Sequence, residues 1–436
     1  MLRHLSAGAL LLALAASAAA QVKEDPAVAL KPDRIEARIQ KCRTAEVSLT
    51  VTDAAGRPLK DAAVTVRQTR HKFLFGCNIF DLKPADSSPQ QKAYQERFAA
   101  LLNYATLPFY WKRYEPERGT TDAPRVRAMA AWCRDHGITT KGHPLCWHET
   151  MPAWTLGMPL EEAERLQMER IRREMAGFKG LIGIWDVVNE AVVMPDFRRA
   201  ENALSALCRQ VGRAELVGRA FAAARGADPA ATLVLNDYDH SEKYEKLIEE
   251  CLKAGVPIQV IGIQSHMHRG YLGSKRIWEV CERFARFGKP LHWTEASLIS
   301  GPFKPDMQFH GRYEGWDSTP EGEKRQADEA AGFYTTLFSH PAVEAITWWD
   351  FPDGRWLGAP SGLVRKDMSA KPAYERLMGL VKGTWWTAAA ALRTDAAGRA
   401  TFRGFLGDYA VESGGAKGAL RLDRAGPCDA SVRLAR

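Results

Sequence analysis

Eight short apolar runs, rich in β-branched and aromatic residues, are spaced along the middle of this chain. They are Phe73–Phe80, Tyr104–Trp111, Thr139–Trp147, Ile182–Glu190, Thr232–Tyr238, Gln259–His266, Pro290–Ser297 and Ala345–Pro352. Amphipathic stretches of helical period separate them, among them Arg125–His136, Leu160–Phe178, Asn202–Ala224, Glu242–Ala254, Arg276–Phe287 and Glu323–Phe338. Strand–helix alternation repeated eight times implies parallel strands closed into a (β/α)8 TIM barrel, an α/β fold spanning residues 73–383. An open doubly wound sheet is the competing arrangement. It usually carries a Gly-rich nucleotide turn, and no G-x-G occurs in this chain.

The flanks read differently. In residues 40–72, Val47, Leu49 and Val51 alternate with polar residues. Asp53–Gly56 makes a turn, and Val64 and Val66 alternate again. Residues 384–436 look similar and repeat the hexapeptide Thr-Asp-Ala-Ala-Gly-Arg, found at 52–57 and 394–399. Each unit is too small to bury a core alone. The N-terminal and C-terminal β units are therefore expected to build one small β-sandwich. Residues 1–20 read as a secretory signal: Arg3, an apolar Leu5–Ala16 stretch, then Ala18–Ala20 before a cleavage point. That stretch is too short to span a bilayer, and no later one is longer. The expectation is a secreted or periplasmic monomer with no membrane partner.

Hydrophobic residues at 46% and charged residues at 26% exclude a disordered or polytopic membrane chain. The net charge of +8 is spread along the sequence without a Lys/Arg block, so no nucleic-acid partner is expected. Eight cysteines at wide spacing, with no C-x-x-C, exclude a zinc ribbon. Either one or two disulfides or mostly buried thiols fits them.

In a TIM barrel the chemistry sits at the C-terminal strand ends. Here the third run ends in Gly142-His-Pro-Leu-Cys-Trp-His-Glu149 and the fourth in Trp185-Asp-Val-Val-Asn-Glu190. The fifth ends in Asn236-Asp-Tyr-Asp239, the sixth in Gln264-Ser-His-Met-His268, and the seventh in His292-Trp-Thr-Glu295. The eighth ends in Trp348-Trp-Asp-Phe-Pro-Asp353, with Trp356 beyond. A buried strand ending in a carboxylate is costly unless that carboxylate is paired or used. Strands four and seven lie across the barrel mouth, so Glu190 and Glu295 are expected to face each other. Two opposed carboxylates are what glycoside hydrolysis needs: one donates a proton, the other attacks the sugar carbon.

These motifs resemble glycoside hydrolase family 10, the retaining endo-β-1,4-xylanases. The family's Gly-His-x-Leu-x-Trp-His is matched at 142–148, Trp-Asp-Val-Val-Asn-Glu at 185–190, Asn-Asp-Tyr at 236–238, Gln-Ser-His at 264–266 and Thr-Glu at 294–295. The resemblance implies Glu190 as acid/base and Glu295 as nucleophile. It implies Asn189 on the sugar 2-hydroxyl, His143 and Trp147 walling that subsite, and Gln264 on the same sugar. His266 would hold Glu295, and Trp349 and Trp356 would form the aromatic floor. The implied partner is a xylan-like polysaccharide. Two-carboxylate chemistry needs no cofactor and no metal.

Two departures stand out. The family's strand-two Glu-Asn-x-x-Lys-Trp places Thr106, Leu107 and Tyr110 where Glu, Asn and Lys belong. Leu107 and Tyr110 would offer an apolar wall instead. Lys112 either substitutes for the missing lysine, reaching the face of Tyr110 by strand alternation, or is a surface residue. The family's Thr-Glu-x-Asp reads Thr294-Glu-Ala-Ser297. These changes keep open a decorated xylan, another β-glycan, or a non-catalytic carbohydrate-binding protein. A metal hydrolase using His143-x₄-His148 or His266-x-His268 lacks the His-x-His on strand one, and no Gly-x-Ser-x-Gly marks a serine hydrolase.

Overall fold

The computed structural model describes residues 24–197, 202–304 and 311–436. The signal-like stretch 1–20 lies outside the described residues. The first two strands are β1 (Thr44–Thr52) and β2 (Ala63–His71). Then come β3 (Leu74–Asn78), β4 (Tyr104–Pro108), β5 (Thr139–His143), β6 (Ile184–Asn189), β7 (Thr232–Asp237), β8 (Val260–Met267), β9 (Leu291–Leu298) and β10 (Val343–Trp348). Strands β3 to β10 pair in parallel in chain order, and β10 closes onto β3 with Trp348 opposite Cys77. All eight apolar runs are thus barrel strands, generally shorter than the runs themselves.

The floor of the barrel is filled by Leu74, Tyr104, Ile184, Val234, Val260 and Ala345. Polar groups appear among the residues that follow these in sequence. Lys141 and Asp186 are both 0% exposed, and Lys141 Nζ lies 2.7 Å from Asp186 Oδ2. Burial works against the Asp186 charge, but Lys141 and His143 hold its pKa below the ordinary value. Neighbouring His292 is pushed down to about 3 by burial and the Lys141 charge, so it is neutral.

The outer helices bury one stripe each. In Glu242–Lys253 the buried residues are Tyr244, Leu247, Ile248 and Cys251, the spacing of a single helical face. The expected helix 202–224 is two helices, Ala203–Val211 and Arg213–Ala227. Gly212 breaks it at φ 89°, outside the helical region and open to glycine. The unit expected to start at residue 40 is preceded by a helix, Pro32–Arg43. Its buried Arg43 donates to the carbonyls of Phe338 at 2.8 Å and of His340 and Val343 at 2.7 Å. These acceptors lie at and just past the end of helix Pro320–Ser339, where backbone carbonyls lack helical partners.

The sandwich is completed by β11 (Ala390–Arg393), β12 (Arg399–Phe405), β13 (Gly407–Ser413), β14 (Ala416–Leu422) and β15 (Gly426–Arg433). One sheet has the order β12-β1-β15 and the other β11-β2-β13-β14. Their shared core contains Val47, Leu49, Val51, Val64, Val66, Val411 and Leu422. The repeated hexapeptide makes the same turn twice. Asp53 Oδ1 accepts from the backbone N–H of Ala55 and Arg57, both at 2.9 Å. Asp395 Oδ1 does so from Ala397 and Arg399, both at 2.8 Å. Each copy carries the chain from one sheet to the other.

All eight cysteines are free thiols, six of them buried. Among the described residues no helix is long and apolar enough to cross a membrane. Replacing Lys141 by Met should strand the Asp186 charge in the barrel. Urea denaturation should then show a loss of about 3–5 kcal/mol, the usual cost of breaking a buried pair from one side.

Candidate active site

Strand β6 ends at Asn189, and Glu190 turns away from it at φ 57°. That left-handed conformation is unfavourable for a residue with a Cβ and marks a site where the surroundings enforce it. Its backbone N–H still donates to Asn236 O at 2.8 Å. The Glu190 carboxylate accepts from Trp147 Nε1 at 3.0 Å on one oxygen. On the other it accepts from Gln264 Nε2 at 3.1 Å and Asn189 Nδ2 at 3.2 Å.

Glu295 arises from β9. Its Oε1 accepts from Asn236 Nδ2 at 3.0 Å, and its Oε2 lies 3.0 Å from His266 Nε2. His143 Nε2 is 3.8 Å from Oε1, while His143 Nδ1 sits 2.8 Å from Asp186 Oδ2. Asn189 Oδ1 accepts from both Asn236 Nδ2 at 2.8 Å and Gln264 Nε2 at 3.1 Å. One amide oxygen therefore ties the groups that hold the two glutamates. Gly262 makes room for this arrangement, since a Cβ there would lie 2.4 Å from Asn236 Oδ1.

The two carboxylates have different surroundings. Burial, then the charges of Glu149, Glu295 and Asp237, holds the Glu190 pKa well above the ordinary value. Asp237, pushed up to about 7 by burial, accepts from the backbone N–H of Val192 at 3.0 Å and so pins the turn after Glu190.

Both glutamates open onto a cavity of about 1090 Å³. Tyr110, Trp147, Gln264, His266, Trp349 and Trp356 also line it. Asn189 and His143 stand behind its wall, 1% exposed. Trp356 stacks on His266 with centroids 4.3 Å apart and planes 7° off parallel. Ser297, where the resemblance calls for Asp, contacts His266 Nδ1 at 2.9 Å and donates to Trp349 O at 2.9 Å.

Two expectations need correction. Leu107 is not a cavity wall; it is fully buried in the hydrophobic core. Tyr104 on the same strand fills the barrel floor, so a residue three positions on has the opposite parity. Lys112 does line the cavity, but from the short helix Trp111–Tyr114, so strand alternation does not place it. Trp348 is core, its Nε1 donating to Ser361 O at 2.8 Å.

The sequence reading missed Asn78, Asp81, Glu149 and Asp350 as site residues. Asn78 ends β3, so the strand-end rule applied to the first run finds it. Among the described residues one group, His148, Glu149 and Glu190, brings three possible metal-ligand atoms within 4.8 Å of one another. The two histidines proposed for a metal hydrolase at 143 and 266 are engaged with Asp186, Ser297 and Glu295.

The profile of glycosyl hydrolase family 10 matches residues 67–380. The chain belongs to this family. An endo-1,4-beta-xylanase/feruloyl esterase of Xylanibacter ruminicola is 27% identical over 340 residues, covering 71% of this chain. The anti-sigma-I factor RsgI6 of Acetivibrio thermocellus is 26% identical over 389 residues, covering 87% of it. This chain spans 46% of the length of each of these two relatives. The crystal structure of xylanase 10B from Thermotoga petrophila in complex with xylobiose is 25% identical with a TM-score of 0.60. That match covers 72% of this chain and 95% of the other.

The raised Glu190 pKa has a stability consequence. Above the ordinary value the unfolded chain ionises Glu190, while the folded protein keeps it protonated. Stability is therefore lost as pH rises through that window. Glu190→Gln should raise the thermal midpoint at pH 7, and the gain should vanish below about pH 4.

Proposed function

We propose that this protein is a secreted retaining β-glycosidase that hydrolyses internal β-1,4-xylosidic linkages of xylan. The carrying observation is the pair Glu190 and Glu295 opening onto one cavity in unlike surroundings, Glu190 with its pKa held well above the ordinary value by burial and neighbouring carboxylates, Glu295 between an amide and an imidazole. Family membership and the xylanase names of its relatives support the substrate class.

Glu295 attacks the anomeric carbon while Glu190 donates its proton to the leaving oxygen, giving a covalent glycosyl–enzyme. Glu190, now ionised, takes a proton from water, which attacks the same carbon and frees Glu295. Asn236 and His266 hold the attacking carboxylate in place. Asn189, just behind the cavity wall, takes the sugar 2-hydroxyl in this reading, its Nδ2 also donating to Glu190 at 3.2 Å, and Gln264 and Trp147 keep the acid aligned. Trp349 and Trp356 give the sugar an aromatic floor with Tyr110 beside it, and His143 backs that wall. No cofactor enters these steps. The sandwich of residues 40–72 and 384–436 braces the barrel, and residues 1–20 direct export.

A second reading is a xylan bearing acidic side groups. Lys112, Arg113, Arg269, Arg312 and Arg355 all line the cavity, which favours it. Sugar release from glucuronoxylan and from the same polymer stripped of its side groups separates the two. Comparable rates support plain xylan, and release from the decorated polymer alone supports the second.

Glu295→Ala should abolish turnover of an aryl β-xylobioside in a steady-state assay. Glu190→Ala should cost about 10²–10⁴-fold on xylan and much less on an aryl glycoside whose leaving group needs no proton. Unchanged turnover in both variants would rule this function out.

A further inference from the structure

Asp350 has no role in the reaction as described, yet it lines the cavity. It is 7% exposed. Its Oδ1 accepts from Asn78 Nδ2 at the end of β3. Its other oxygen takes no hydrogen bond from any described residue. The nearby carboxylate Asp81 is already committed, its Oδ2 lying 2.7 Å from Arg355 Nε. Burial pushes the Asp350 pKa up to about 6, so it is an anionic acceptor at neutral pH.

The position of Asp350 follows from its neighbours. The backbone N–H of Trp349 donates to Ala296 O at 2.8 Å and Ser297 Oγ donates to Trp349 O at 2.9 Å, which seats the Trp349-Asp350 stretch against β9 beside Glu295. Phe80 packs edge-on against both Tyr110 and Trp349, at 5.6 and 5.4 Å. Asp350 therefore sits on the Glu295 side, away from the leaving group, which is the side of the nonreducing sugars.

We infer that Asp350, held by Asn78, is a substrate-binding carboxylate for the sugar unit next to the cleaved one on the nonreducing side. This rests on the glycosidase reading above. Of the two strand-two departures from the family pattern, Tyr110 lines the cavity and Leu107 is buried away from it. A carboxylate instead accepts from sugar hydroxyls. It therefore requires bare hydroxyls on that unit and repels an acidic substituent there. The arginines and lysine of the cavity leave acidic side groups to other subsites.

The test compares an aryl β-xylobioside with an aryl β-xyloside, which lacks that unit. Asp350→Asn keeps the shape and the acceptor facing Asn78, but replaces the free acceptor by a donor. Its kcat/KM on the bioside should fall about 10- to 100-fold more than on the monoside. Asp350→Ser must give the same ordering, and thermal melts of both variants report folding. Parallel losses on the two substrates, or no loss on the bioside, would overturn the inference while wild-type turnover stands. Wild-type turnover of neither substrate would overturn the glycosidase reading and this inference together.

Discussion

The contact on which the site depends is the buried pairing of Asp186 with Lys141 and His143. An isolated carboxylate in the barrel interior carries a desolvation cost that only a cation and hydrogen bonds offset. Lys141 lies 2.7 Å from Asp186 Oδ2, and His143 Nδ1 lies 2.8 Å from the same oxygen. This pins β5 to β6 below the cavity. It also orients His143 so that its other nitrogen faces Glu295. The polar layer is thus both what the barrel must satisfy and what aims the residues above it.

Above that layer the two glutamates are set apart by neighbours more than by their own type. Glu190 is crowded by other carboxylates and accepts only from neutral donors. Glu295 faces an amide and an imidazole. Asn189 stands between the two sets, its carbonyl taking both Asn236 and Gln264. A shift of that one amide would move both carboxylates at once, so their spacing is a property of the network.

Most of the site was legible because strand ends in a barrel converge whatever the loops do. Glu190 and Glu295 needed only their places toward the C-terminal ends of β6 and β9, whereas Gln264 and His266 came through the family resemblance. Leu107 was misplaced because a motif anchor carries no parity, and Tyr104 on the floor sets which residues of β4 face inward. Lys112 was assigned through an alternation that stops at Pro108, where the strand gives way to a helix. Asp350 was invisible as a ligand because it borders an aromatic pair and meets Asn78 from 272 positions away. The break at Gly212 followed from a φ that no apolar period records. Free cysteines could be decided only by placement, since six are buried in the packed interior.

The sandwich has a consequence for synthesis. Strand β1 pairs with β12 and β15, and Glu46 meets Arg403 from 357 positions away. On a ribosome the apolar faces of β1 and β2 emerge first and find their partners last. Val47, Leu49, Val64 and Val66 wait uncovered while the whole barrel is made. Contacts this distant in sequence form slowly, and unpaired strands are aggregation-prone in the interval. The nascent chain therefore depends on being kept extended or shielded until strands β11 to β15 appear, a consequence of joining segments from either side of the barrel in a single small fold.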